Sequence, residues 1–275
     1  MSNDLTYYLR MNKMPHIFCP GCGHGIAMGC ILRAIDKEGL DKNEVVVVSG
    51  IGCSSRIPGY LDFNTLHTTH GRAIPFATGV KMARPDLKVI VVSGDGDATA
   101  IGGNHFIHAC RRNIDISLFV LNNNIYGMTG GQYSPTTFLG ARATTAPYGN
   151  IDPEFDISSL AVAAGASYVA RATAYHAQQM VKLMRDAIKN KGFSVVEVMS
   201  QCPTYYGRRN RMADPVDMIN WQKEKTYTEA EAEKAESPEE LEGKFLRGVI
   251  HYKERTEYCE SYQELIDRVR GADEK

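Results

Sequence analysis

Four cysteines sit where a chain commonly presents metal ligands. Cys19 and Cys22 lie in Cys-Pro-Gly-Cys-Gly-His-Gly, Cys53 in Gly50-Ile-Gly-Cys-Ser-Ser, and Cys202 in Ser200-Gln-Cys-Pro, each beside a turn or a predicted strand end. Four thiolates can hold zinc or an iron–sulfur cluster, and spacing alone does not decide between them. A structural zinc site usually carries a second close cysteine pair. Here the third and fourth cysteines are lone residues on separate loops, which favours a cluster inside the domain. The other cysteines, Cys30 and Cys110 within helical patterns and Cys259 near the C-terminus, read as small buried thiols. His24 reads as a packing or hydrogen-bonding residue rather than a fifth ligand.

A second constellation follows two predicted strands. Gly94-Asp95-Gly96-Asp97 comes directly after Val89-Ile-Val-Val-Ser, and Asn122-Asn-Asn124 comes after the apolar run at 116–121. Glycines let backbone amides approach a diphosphate, Asp95 offers a hard anionic oxygen and Asn123 a neutral one, a set that suits octahedral magnesium bridging to phosphate. Gly-Asp-Gly alone is a common turn. Its pairing with the asparagine run is what carries the reading.

These motifs need a scaffold that brings them together. Short β-rich segments at 44–49, 88–93, 116–121, 167–170 and 194–199 alternate with helical patterns at 26–37, 73–83, 103–111, 157–164 and 174–189. That alternation predicts a doubly wound α/β domain on a parallel sheet. Ligands gather at the carboxyl ends of such strands, and the loops 50–56, 94–97, 122–132 and 200–211 all follow strands, so one edge of the sheet would collect every motif. From Trp221 the composition turns to charged residues, including Glu229-Ala-Glu-Ala-Glu-Lys-Ala-Glu236. We therefore divide the chain into a cofactor-binding domain over 1–220 and a charged C-terminal helical extension over 221–275 that packs back on the domain or on a partner.

With Asn122-Asn-Asn-Ile-Tyr-Gly-Met-Thr-Gly-Gly-Gln132 added to Gly94-Asp95-Gly96, the segment resembles the thiamine-diphosphate-binding motif, and within that class the β subunits of 2-oxoacid:ferredoxin oxidoreductases. The resemblance runs from about Cys19 to Arg211. It includes Gly50-Ile-Gly-Cys-Ser-Ser-Arg-Ile-Pro, Thr69-His-Gly-Arg-Ala-Ile-Pro-Phe-Ala, Ala146-Pro-Tyr-Gly-Asn and Gln201-Cys-Pro-Thr-Tyr. It implies a sheet of the thiamine-diphosphate-binding type. It also implies Mg2+ on the side chains of Asp95 and Asn123 and the carbonyl of Ile125, and one 4Fe-4S cluster on Cys19, Cys22, Cys53 and Cys202. Ile51, Gly52, Ser54, His70, Gly96, Asp97, Gly127 and Met128 are the expected contacts to thiamine diphosphate. Arg56, by a forked bond to a substrate carboxylate, and His70 are the expected catalytic groups.

The activity implied is coenzyme A-dependent oxidative decarboxylation of a 2-oxoacid, or its reversal, with electrons leaving through the cluster to ferredoxin. The 2-oxoglutarate enzyme, making succinyl-CoA and CO2, is the subgroup most similar; pyruvate and branched-chain relatives share the core. In this family the glutamate that activates the thiazolium lies on the α subunit. An α subunit carrying the other half of the site is therefore an expected partner, and the chain alone is expected to be inactive. A non-catalytic, zinc-stabilised scaffold is the contrasting reading.

Bulk properties exclude other classes. The 275 residues carry 31 Lys plus Arg against 32 Asp plus Glu, a formal net charge of −1, so nothing favours nucleic acid or an anionic membrane. Tyr205-Tyr-Gly-Arg-Arg-Asn-Arg211 mixes aromatic and basic residues, but one loop is too small for nucleic acid; it suits a subunit contact, ferredoxin or coenzyme A phosphates. Apolar runs fall far below the roughly 20 residues of a membrane helix. The start, Met1-Ser-Asn-Asp-Leu, lacks the order of a secretory signal, so a cytoplasmic protein whose cysteines bind metal rather than pair is the expectation.

Overall fold

The computed structural model describes residues 5–273. A seven-stranded sheet forms its centre. In chain order its strands are β1 (Val45–Ser49), β2 (Asn64–His67), β3 (Lys88–Gly94), β4 (Ser117–Asn122), β5 (Tyr168–Thr173) and β6 (Ser194–Met199), joined later by β9 (Gly248–Tyr252). Between them in sequence, β7 (Thr226–Tyr227) and β8 (Phe245–Leu246) make a small parallel pair of their own. The sheet order is β2-β1-β3-β4-β6-β5-β9, parallel from β2 to β5, with β9 antiparallel on the edge.

The central strands are apolar at nearly every position, as in Val45-Val-Val-Val, because helices cover both faces. One face packs against α1 (Gly23–Glu38) and, later in the chain, α5 (Ala177–Lys189), around Ile31, Ile35, Ile90, Phe119 and Met184. The other packs against α2 (Ala73–Ala83), α3 (Gly103–Arg112) and α4 (Ile157–Ala164), around Ile74, Phe106, Leu118 and Phe193. The doubly wound arrangement expected from the sequence is therefore present, and its crossovers leave the carboxyl ends of β1, β3, β4 and β6 along one rim.

Two strands of the main sheet, and the small β7–β8 pair, lie outside the sequence expectation. β2, Asn-Thr-Leu-His, is half-exposed on the sheet edge and carries no apolar run; β9 pairs only with β5. Edge strands are often short and polar, so their composition gives little signal. The charged stretch after Tyr227 makes one helical turn, α7 (Glu229–Ala232), closed by a Thr228/Glu231 capping box. Helical structure past Trp221 otherwise comprises the rest of α6 (Pro215–Glu224), a 3-10 turn at Pro238–Leu241 and α8 (Tyr258–Asp273).

Candidate functional site

The rim of the sheet holds a cavity of about 80 Å³. The loop after β1 contributes Ile51, Gly52, Cys53 and Ser54; the end of β3 contributes Gly94 to Asp97; the loop after β4 contributes Asn123, Ile125, Tyr126, Gly127, Met128 and Thr129; His24 and His70 complete the wall. Twelve predicted site residues from four loops thus meet in one space: Ile51, Gly52, Cys53, Ser54, His70, Asp95, Gly96, Asp97, Asn123, Ile125, Gly127 and Met128.

Asp95 is buried, and two hydroxyls hold its carboxylate: Ser134 donates to Oδ2 at 2.5 Å and Thr136 lies 2.6 Å from the same oxygen. Burial raises its pKa, and the Ser134 and Thr136 hydrogen bonds work against that rise. Asn122 turns away from the cavity, donating to Glu197 at 2.9 Å, while its Oδ1 accepts from the Asn124 amide at 3.1 Å. This Asx turn, with Asn124 in the left-handed region at φ 58°, puts Asn123 and Ile125 on the cavity wall. A carboxylate, an amide oxygen and a main-chain carbonyl from residues on one cavity wall are hard donors of the kind magnesium takes.

Asp97, expected as a cofactor contact, lines the cavity and also ties its walls together. Its Oδ1 accepts from the Gly71 amide at 2.8 Å, from the Ile51 amide at 3.3 Å and contacts His70 Nδ1; its Oδ2 accepts from Ser93 Oγ at 2.6 Å. One carboxylate thereby ties β3 to the loops after β1 and β2. Through Nδ1 it fixes the His70 ring, which meets Tyr126 edge to face with centroids 6.1 Å apart. A Cβ on Gly50 would collide with this carboxylate, and one on Gly96 with the Tyr126 ring, so both glycines are required by close approach.

The cysteines assemble beside the same cavity. A Cβ built on Gly127 would stand 3.4 Å from Cys53 Sγ and 3.8 Å from Cys202 Sγ, so those thiols flank the loop after β4. Burial raises Cys22 to about 12, with the neighbouring Cys202, Cys53 and Cys19 adding to the rise, and raises Cys53 to about 11, with Cys202 and Cys19 adding again. The Cys202 thiol is also pushed up, first by burial. The four predicted ligands therefore form one electrostatic group in which thiolate charges would repel one another without a cation. Cys53 and Cys202 are soft sulfur donors of the kind that take zinc or iron, and they stand on one side of Gly127. Among the described residues, no three His, Cys, Asp or Glu side chains lie at a spacing suited to one shared metal ion.

Arg56 is set apart. It is exposed on the 3-10 turn Ser54–Tyr60 and does not line the cavity. Cys30, Cys110 and Cys259 are buried, as read from the sequence. Several site residues carried no sequence signal. Ser134 and Thr136 lie in the long connection after β4 and reach Asp95 only through tertiary folding. Tyr126 was visible within the Asn-Ile-Tyr-Gly motif but had no assigned task. His24, read from the sequence as a packing or hydrogen-bonding residue, does hydrogen-bond, with Nδ1 2.8 Å from Ser200 Oγ; it also lines the cavity, and burial lowers its pKa to about 4.

The fold and cavity define a cofactor enzyme of the thiamine class: residues 50–198 match the thiamine pyrophosphate enzyme C-terminal TPP binding domain. Relatives narrow the class. The chain is 54% identical over 264 residues to 2-oxoglutarate synthase subunit KorB of Methanocaldococcus jannaschii, covering 96% of this chain and 97% of that one. It is 48% identical to the Archaeoglobus fulgidus subunit of the same name, covering 100% and 99%. Among solved structures, the 2-oxoglutarate:ferredoxin oxidoreductase from Magnetococcus marinus with 2-oxoglutarate, coenzyme A and succinyl-CoA bound superposes with a TM-score of 0.86 at 33% identity, covering 98% of this chain and 92% of that one. The chain belongs to the 2-oxoacid:ferredoxin oxidoreductases, as a β subunit. Among the described residues no helix is long and apolar enough to cross a membrane.

Proposed function

We propose that this chain is the catalytic half of a cytoplasmic 2-oxoglutarate:ferredoxin oxidoreductase, interconverting 2-oxoglutarate plus coenzyme A with succinyl-CoA plus CO2. The observation that carries the reading is the double membership of Cys53. It lines the cavity with Asp95, Asn123 and Ile125, and it belongs to the four-cysteine group with Cys19, Cys22 and Cys202.

Thiamine diphosphate, when bound, supplies the nucleophilic carbon and the electron sink that loss of CO2 from a 2-oxoacid requires. The chain's own residues hold and orient. Asp95, Asn123 and the Ile125 carbonyl would take Mg2+, and the backbone at Gly52, Gly96 and Gly127, which lines the cavity, would meet the diphosphate. His70, fixed by Asp97 through Nδ1, turns its other face to the cavity. Ile51 and Met128 supply apolar wall, and Ser54 a hydroxyl at the base. Arg56, exposed on the turn after Cys53, would meet the second carboxylate of the substrate at a partner surface. Cys19, Cys22, Cys53 and Cys202 would carry one 4Fe-4S cluster that passes electrons to ferredoxin, and an α subunit would complete the thiamine site. Residues 1–220 would hold both cofactors, with 221–275 packed on that domain.

Anaerobic co-purification with the α subunit tests this, followed by a panel of 2-oxoacids with coenzyme A and a viologen acceptor. A brown complex that reduces viologen fastest with 2-oxoglutarate is expected. A colourless protein with one zinc per chain and no thiamine-dependent turnover would overturn the proposal, and a preference for pyruvate would overturn the substrate.

A further inference from the structure

Behind the metal loop, on the side away from the cofactor cavity, lies a buried ion pair that touches no ligand space of that cavity. Arg171 on β5 stands opposite Glu197 on β6 in the sheet register. Arg171 Nε donates to Glu197 Oε2 at 2.9 Å, Nη2 to Asp156 Oδ1 at 2.6 Å, and Nη1 to the Leu246 carbonyl of β8 at 3.2 Å; the guanidinium lies 5.7 Å from the centroid of the Phe245 ring. Arg171 and Glu197 are 6% and 4% exposed. Burying two charges costs several kcal/mol each in typical cases and is a poor source of stability by itself. A further reason for the pair lies in what Glu197 does with its other oxygen.

Glu197 Oε1 accepts from Asn122 Nδ2 at 2.9 Å, while Oε2 also accepts from Ser158 Oγ at 2.7 Å. An anion at this point settles which end of the Asn122 amide faces it, since only the NH2 end can donate. Asn122 Oδ1 must then face the other way, where it accepts from the Asn124 amide and lies 2.9 Å from Thr136 Oγ1. The first of these contacts closes the turn that presents Asn123 and Ile125. The second stands beside the Thr136 hydroxyl, whose one proton serves either Asn122 Oδ1 or Asp95 Oδ2, 2.6 Å away, and not both at once. One chain of contacts thus runs Arg171, Glu197, Asn122, Thr136, Asp95. It touches the carboxylate, and through the Asx turn the two other oxygens, of the donor set described above.

We propose that Glu197, held by Arg171 and anchored to the C-terminal segment at Phe245 and Leu246, is a positioning residue that sets the Mg2+ affinity of the thiamine site. The inference rests on reading Asp95, Asn123 and the Ile125 carbonyl as the metal ligands. It goes beyond that reading by giving the ion pair and the 245–246 segment a functional task. Glu197→Gln is the incisive substitution. An amide has one oxygen for donors that both need one, Arg171 Nε and Asn122 Nδ2, so one of them must face an NH2 group. Outer contacts to metal ligands are generally worth roughly 10- to 100-fold in metal affinity.

The test uses the αβ complex and reads binding rather than turnover: thiamine diphosphate is titrated calorimetrically at a series of Mg2+ concentrations. Glu197→Gln, a step further out than a direct partner of a ligand, is expected to raise the Mg2+ concentration for half-maximal binding about fivefold, below the roughly 10- to 100-fold of a direct outer contact. Ser158→Ala, which removes one bond from the same carboxylate without changing charge, is expected to move it in the same direction by a smaller factor and keeps the test available where Glu197→Gln does not fold. Asp156→Asn, on the outer arm of Arg171, is expected to leave it within about twofold, well below the outer-contact effect. A Glu197→Gln complex that melts earlier but keeps the wild-type Mg2+ dependence would make the pair merely structural and overturn the proposal. Equal shifts from Asp156→Asn and Glu197→Gln would overturn it too. Wild-type complex that binds thiamine diphosphate without regard to Mg2+ would instead remove the metal-site reading underneath.

Discussion

The residue that best shows how chemistry and architecture are joined is Asp97. A buried carboxylate is tolerated only when its oxygens are met by donors, and here His70, Gly71, Ile51 and Ser93 meet them. Asp97→Ala would leave those donors unpaired and free the His70 ring. The expected cost is about 3 kcal/mol, read by urea unfolding, and a loss below about 1 kcal/mol would show that the carboxylate is not the tie we describe. His24 makes a pH prediction. Its pKa is lowered by burial from 6.5 to about 4, so the unfolded chain binds its proton more tightly than the native one. That contribution to stability is present above pH 6.5 and is lost as pH falls toward 4, about 3 kcal/mol in all. Asp95, whose pKa is raised, runs in the opposite sense in any variant that retains it. The difference between wild type and His24→Gln therefore isolates the imidazole, and parallel unfolding curves from pH 7 to pH 4 would refute it. The sequence made Asp95, Asn123 and the four cysteines legible because their types and neighbours announce hard or soft donors. It could not show that Asp97 faces inward, nor that Ser134 and Thr136 reach Asp95, since those contacts depend on how a long connection folds.

At the scale of elements, the loop after β4 does two jobs at once. Tyr126 and Gln132 bridge its two ends, with the Tyr126 amide donating to the Gln132 carbonyl at 2.9 Å, and Gly131 at φ 92° lets the return strand pass Tyr205. The closed loop then presents Gly127 both to the cavity and to the thiols of Cys53 and Cys202. Gly127→Ala is the substitution that separates these jobs from folding, because its backbone is not in the left-handed region and the methyl would meet sulfur rather than main chain. We expect the variant to fold with unchanged melting temperature and to keep whatever iron the wild type holds, since the methyl stands at ordinary contact distance from both thiols. Anaerobic iron analysis beside a thermal melt measures both, and loss of iron would show that a bound metal centre needs the space beside Gly127. The strands under this loop were readable from Val45-Val-Val-Val and Val89-Ile-Val-Val because both faces of each are covered. The edge strands β2 and β9 were not, for the complementary reason that an edge needs little apolar surface and is specified by its neighbour.

For the whole molecule, the decisive quantity is the size of the cavity against what it must hold. Pockets that enclose a drug-sized or cofactor-sized ligand run upward from roughly 300 Å³, whereas the space over Asp95 and Asn123 is about 80 Å³. It has room for one end of such a cofactor and leaves the remainder outside. Around it Ile51 and Met128 stay exposed, as do Phe76 on α2 and Ile101 before α3, apolar surface of the kind that a second protein covers. The near-neutral charge of the chain means that no long-range field compensates for missing contacts. Binding of thiamine diphosphate should therefore be a property of the αβ complex. The isolated chain, with Mg2+ in excess, is expected to bind it at least about 100-fold more weakly, a deficit of about 3 kcal/mol. The cysteines, all supplied by this chain, should still load iron anaerobically. Calorimetry on the two preparations decides the point: equal affinities would mean that this subunit closes the site alone, and loss of iron together with the partner would mean that the cysteine group also depends on it.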